Sequence, residues 1–229
     1  MSRPPETLRR LRGNPPRASP VRGLEAIADR ARQYLETKNA ARDRALQISR
    51  TLIRHAAHAI RAVHREERDP AQQELIAARH LMEEIRRDLS AYPDLYHAGY
   101  TQDALKEYSE AHIVYALVGA EDLPEPESLG VEYAAYLGGL GEAAGELRRR
   151  VLDLIRQDAT DEAERLLAAM DEIYAVLVAV DYPDALTGNL RRITDMVRGV
   201  VERTRGDLTT TLQQNALKAA LRAVEQKLP

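Results

Sequence analysis

From Leu24 onward, apolar residues recur at three- and four-residue steps, and no stretch alternates apolar and polar residues as a half-buried strand would. The pattern predicts an all-α protein, an antiparallel bundle of about six or seven helices with a long first helix. That first helix is expected over residues 24–67, with Ala45, Ile48, Leu52, Ala59 and Val63 as its buried stripe. Asp69-Pro70 offers an N-cap and a proline at the first helical position, opening a second helix to about residue 90. Thr101 is placed to cap a third helix ending near Gly119, and the acidic, proline-containing stretch 121–127 reads as a connector. A fourth helix is expected over about 129–157. Thr160 with Asp161 and Glu162 opens a fifth, and Tyr182-Pro183-Asp184 breaks the chain once more. The last segment, 185–228, is apolar at Leu190, Ile193, Val197 and Val200 and again at Leu212, Leu217, Leu221 and Val224, with a break expected near Gly206. Two apolar faces per helix exceed what a small monomer can bury, so the pattern also predicts self-association. Ahead of the helices, Pro4, Pro5, Pro15, Pro16 and Pro20 stand among arginines, and residues 1–20 are expected to be a mobile basic tail before a single helical domain, 21–229.

On this framework two acidic pairs stand out. Glu107 and Glu110 are three residues apart in the third helix, and Glu142 and Glu146 are four apart in the fourth, so each pair shares one helix face. In the fourth helix Leu137, Leu140, Ala144, Leu147, Val151 and Leu154 form the apolar stripe, with the two glutamates roughly opposite. Beside them run Ala134, Gly138, Gly141 and Gly145. Glycine inside a helix costs roughly 1 kcal/mol relative to alanine, so these positions suggest a neighbouring backbone that packs unusually close. Were that neighbour the third helix, four carboxylates would share a small volume and would need protons or a hard cation. An all-oxygen cluster suits Mg²⁺, with Mn²⁺ as its substitute. Were the helices apart, the same spacings would describe ordinary solvated faces.

The first helix carries a second charged feature. Arg50, Arg54, His58, Arg61 and Arg65 follow at three- and four-residue steps and form a cationic ridge, suited to tracking phosphates or to pairing with acids on neighbouring helices. Composition narrows the chemistry further. There is no cysteine, which excludes disulfides, thiolate metal sites and cysteine nucleophiles. The aromatics are all tyrosine, which argues against base-stacking platforms. Net charge is only -3, and no apolar run approaches the ~20 residues that span a bilayer, so a cytoplasmic protein without membrane contact is expected. His55 and His58 lack the partners of a diiron site, and no phosphate loop, nucleophile elbow or zinc protease motif is present.

The run Gln102 to Ala111 (QDALKEYSEA), the segment Tyr136 to Arg149 (YLGGLGEAAGELRR) and the first-helix patterns Ile48-Ser49-Arg50 and Val63-His64-Arg65 resemble the translin superfamily, particularly its translin-associated factor X branch and archaeal homologues. The similarity extends over most of the chain after residue 24. The resemblance implies an all-helical protein that assembles into a hollow, barrel-like homo-octamer and binds RNA or single-stranded DNA. Its factor X branch implies a Mg²⁺-dependent endoribonuclease with carboxylates inside the barrel. Carried over by position, Glu107 and Glu110 become catalytic metal ligands. Glu142 stands where the family's third carboxylate, usually aspartate, belongs, and Glu146 becomes a further ligand or an orienting group. Arg50, His64 and Arg65 match basic RNA-binding positions, whereas Arg54, His58 and Arg61 come from helical periodicity alone. His64 lies off the ridge by about a third of a turn. The expected function is cleavage of single-stranded RNA within the oligomer, the alternative being a non-catalytic module or scaffold that binds single-stranded RNA or DNA.

Overall fold

A computed structural model describes residues 21–226; the expected basic tail, 1–20, lies outside the described residues. The described residues form nine helices and no strand. These are α1 (Leu24–His64), α2 (Arg68–Asp88), α3 (Pro93–Tyr96), α4 (Gly99–Val118), α5 (Pro126–Leu129), α6 (Tyr133–Arg156), α7 (Thr160–Ala179), α8 (Asp184–Thr187) and α9 (Leu190–Glu225). The six long helices are those the periodicity predicts, and α3, α5 and α8 are single turns set into connectors. None of the described helices is long and apolar enough to cross a membrane.

The chain divides into two units, Met1–Ala40 and Ala41–Pro229. The described part of the first is the opening half of α1, exposed throughout much of its length, with an Arg32–Asp29 ion pair at 2.7 Å and apolar Leu24, Ile27, Tyr34 and Leu35 open to solvent. The second unit is built around α6, which packs on α4, α7 and α9. Ala45, Ile48, Leu52, Ala59 and Val63 of α1 are all buried, as expected, and Leu140, Ala144, Leu147, Val151 and Leu154 of α6 join Tyr108, Ile113, Leu166 and Met170 in the core. Leu137 is only partly buried. The two apolar runs of α9 part company: Leu190, Ile193, Val197 and Val200 are buried, whereas Leu217, Leu221 and Val224 are exposed.

Three helices, α1, α4 and α6, end in the same way, α4 and α6 close to the expected positions and α1 three residues early. At Glu66, Ala120 and Asp158 the backbone turns left-handed, with φ between 53° and 63°. At each, two amides return to the helix just completed: Glu66 N to Val63 O and Glu67 N to Ala62 O, Ala120 N to Leu117 O and Glu121 N to Ala116 O, Asp158 N to Ile155 O and Ala159 N to Leu154 O. These pairs cap the last carbonyls of α1, α4 and α6, a closure that usually employs glycine. The corner at Glu66 lets α2 begin at Arg68, so the N-cap is Glu67 rather than Asp69, and it makes no side-chain cap bond. Thr101 likewise does not cap α4; it lies inside the first turn, where its hydroxyl donates to Leu95 O at 2.9 Å and ties α4 to α3. The break expected at Gly206 is absent. There α9 continues unbroken, and Arg148 donates to Thr204 Oγ1 at 3.0 Å and to Asp207 Oδ2 at 2.8 Å on either side of that glycine.

A carboxylate cluster between α4 and α6

The two acidic edges lie on helices that touch backbone to backbone, and the contact is made by Gly139. A Cβ there would stand 2.7 Å from Lys106 O, 2.8 Å from Glu110 N and 2.9 Å from Ser109 Cβ. No side chain fits between helices at that separation. The glycines expected to perform this role do other things. Gly138 receives the stem of Lys106, Gly141 faces Ile193 of α9, and Gly145 faces open space. The expectation considered one neighbour for this helix, whereas α6 is covered by three.

The close approach gathers three of the four glutamates. One carboxylate oxygen from each of Glu107, Glu110 and Glu142 lies within 4.8 Å of the other two. Glu110 is the deepest, 7% exposed, and its pKa is pushed up to about 8 by burial and then by the charges of Glu107, Glu142 and Glu146, against a smaller pull from Lys106. Glu107 is raised in the same direction, first by burial and then by Glu142. The principal cation here is one that the sequence reading did not single out. Lys106 reaches across the helix interface, its Nζ 2.5 Å from Glu142 Oε1 and 3.9 Å from Glu107 Oε1. Burial opposes its charge, but the hydrogen bond to Glu142 and the surrounding carboxylates outweigh that and raise its pKa.

Glu146 stands beside this triad with a different partner. His64, whose side chain is 4% exposed, places Nε2 2.5 Å from Glu146 Oε2. That hydrogen bond is the main reason the Glu146 carboxyl titrates below its ordinary value, and His64 and Arg149 add to it through their charge. Bonding an ionised carboxylate requires the proton on Nε2, leaving the buried Nδ1 without a partner. His64 therefore turns inward, away from the cationic ridge, and links α1 to α6.

The rest of the ridge is exposed. Arg50 and Arg54 make no ion pair among the described residues, Arg61 Nε donates to Ala57 O at 3.1 Å, and Arg65 pairs with Glu67 at 2.8 Å. His58 Nδ1 lies 3.5 Å from Glu74, which also accepts from His55 at 2.5 Å. The donor set of the cluster is all oxygen, and two of its three carboxylates are held above their usual range by burial and mutual repulsion. Both features fit a hard divalent cation such as Mg²⁺ or Mn²⁺, which relieves that repulsion.

The all-helical fold that carries this triad is shared with solved proteins. The chain is similar to AfC3PO, in a crystal structure (32% identity, TM-score 0.76, 82% of this chain and 97% of that one) and in a complex with duplex RNA (31% identity, TM-score 0.75, with the same coverage). It shares the fold of apo-NeC3PO at 22% identity and a TM-score of 0.70, over 85% of this chain and all of that one. It is also 31% identical over 196 residues to an uncharacterised protein of Methanocaldococcus jannaschii, spanning 84% of this chain and 86% of that protein. No protein-family model matches the chain. On these similarities the chain belongs to the translin superfamily, among its C3PO-like members.

Proposed function

We propose that this protein is a divalent-metal-dependent endoribonuclease that works in the cytoplasm as a homo-oligomer, with an octameric barrel as the assembly the family resemblance implies. The observation that carries the reading is the convergence of Glu107, Glu110 and Glu142 from two helices in a chain whose solved relative binds RNA. When bound, a divalent cation offsets charge building on a phosphodiester and makes water more acidic. Glu107, Glu110 and Glu142 would hold it. Glu110, whose carboxyl burial pushes up to about 8, would have to be ionised to hold a cation, so binding would tighten as pH rises. Glu146 is kept ionised by His64, and its Oε1, the oxygen not engaged by that bond, is available to accept a proton from the attacking water.

Arg50 and Arg54, exposed and without acidic partners among the described residues, are the members of the ridge best placed to meet RNA phosphates, with His58, Arg61 and Arg65 extending the line. Self-association is supported by exposed Leu217, Leu221 and Val224, which follow one face of α9, and by Leu24, Ile27, Tyr34 and Leu35 on the opening half of α1. The AfC3PO complex contains duplex RNA, so both strand states belong in the test. Purified protein should cleave a labelled single-stranded RNA in Mg²⁺ or Mn²⁺ and not in EDTA, and E110Q should lose cleavage by at least a hundredfold while keeping the oligomer. Full cleavage by E110Q, or by wild type in EDTA, would sink the proposal. A second reading, a binding module without catalysis, is favoured by the ammonium of Lys106, which balances Glu142 without any metal. RNA binding in EDTA with no turnover after metal addition would establish it.

A further inference from the structure

Lys106 already engages carboxylates that a metal at the triad would draw on. Its ammonium bonds Glu142 Oε1 at 2.5 Å and lies 3.9 Å from Glu107 Oε1, so it serves two of the three carboxylates of the triad, and no other cation among the described residues pairs with Glu107, Glu110 or Glu142. The position is built rather than incidental. Lys106 lies next to the point where α4 rests on Gly139, and its stem runs over Gly138, where a Cβ would stand 3.1 Å from both Cγ and Cδ. A side chain at 138 would press on the stem and make it shift by a few tenths of an ångström.

A divalent ion drawing on all three carboxylates needs an oxygen of Glu142, and two cations that share one carboxylate repel each other. We propose that Lys106 is a displaceable counter-cation: it holds Glu142 and Glu107 together while the metal is absent, and the metal enters by driving its ammonium off Glu142. The lysine thus acts as a positioning residue that sets how much metal the site needs. It keeps two of the three carboxylates, Glu107 and Glu142, assembled without a bound ion, at the expense of weaker metal affinity. The inference rests on the metal-binding reading above.

The experiment titrates Mn²⁺ into full-length protein without RNA, by calorimetry or by the loss of the free Mn²⁺ paramagnetic resonance signal. K106M keeps an unbranched stem over Gly138 and removes the charge, K106R keeps the charge, and K106Q provides a second neutral variant should the methionine protein fail to fold. Removing one unit charge beside the site should tighten Mn²⁺ binding by about tenfold. The neutral variant is expected to bind at least threefold more tightly than wild type, and K106R less than threefold more tightly. A neutral variant within threefold of wild type, or weaker, overturns the proposal, as does K106R tightening beyond threefold. Were wild type to bind and the neutral variant to gain nothing, only the role of Lys106 would fall. Were neither to bind Mn²⁺, this inference and the metal-dependent reading would fall together.

Discussion

Replacing Glu110 with Gln removes a carboxyl that titrates near 4.5 in an unfolded chain and near 8 in the folded one. The folded state holds the proton more tightly, so the group's contribution to stability is fully present below pH 4.5 and is lost as pH rises through about 8. The interval between the two values corresponds to ~5 kcal/mol in all, with roughly two thirds of it gone by pH 7. Because Glu110 is only 7% exposed, little of this is screened by solvent. Glutamine keeps the shape and stays neutral, so it abolishes that pH dependence. Urea denaturation of both proteins in EDTA, from pH 5 to 9, should show wild type losing about 4 kcal/mol relative to E110Q across the range. Saturating Mn²⁺ should flatten the wild-type curve, because a cation favours the ionised carboxyl. Parallel curves for the two proteins in EDTA would refute the reasoning, since Glu110 would then ionise as readily folded as unfolded.

Other consequences can be measured separately. G139A places a Cβ within 3 Å of the α4 backbone, and should destabilise the protein by about 1–3 kcal/mol and weaken Mn²⁺ binding, both read by denaturation and metal titration. Gly206 and Ala120 pose the opposite problem of having each other's ideal residue. G206A, in an open helix interior, should stabilise by about 0.5–1 kcal/mol, and A120G, at φ 53°, by about 1 kcal/mol, each seen as a raised urea midpoint. R50E combined with R54E should weaken RNA binding and reduce the slope of log affinity against log salt by about 1–2, measured by fluorescence anisotropy. An unchanged slope would remove those arginines from the RNA surface.

Helical periodicity carried most of the architecture because burial follows the 3.6-residue repeat, and the stripe from Ala45 to Val63 and the first half of α9 are buried as that repeat requires. What it could not carry were corners made by ordinary residues. Glu66, Ala120 and Asp158 bear no mark of the left-handed turn, because tertiary packing imposes that conformation where glycine would adopt it freely. At the site, spacing told which carboxylates share a face. It said nothing of the rotation of α6 that puts Gly139 against α4, nor of Lys106, which precedes Glu107 in the chain and so would not share its face on an isolated helix. Only a long stem crossing to a second helix brings that ammonium to Glu142. His64 was visible as a basic residue, but its partner is 82 positions away, beyond any local pattern.

The bond from His64 to Glu146 has a mechanical meaning. The helix that exposes Arg50 and Arg54 is also the helix whose last residue, His64, holds the carboxylate of Glu146 beside the triad. A contact made at Arg50 or Arg54 falls on the same continuous helix, 14 or 10 residues before His64. Any displacement of α1 along its axis therefore also displaces the partner of Glu146.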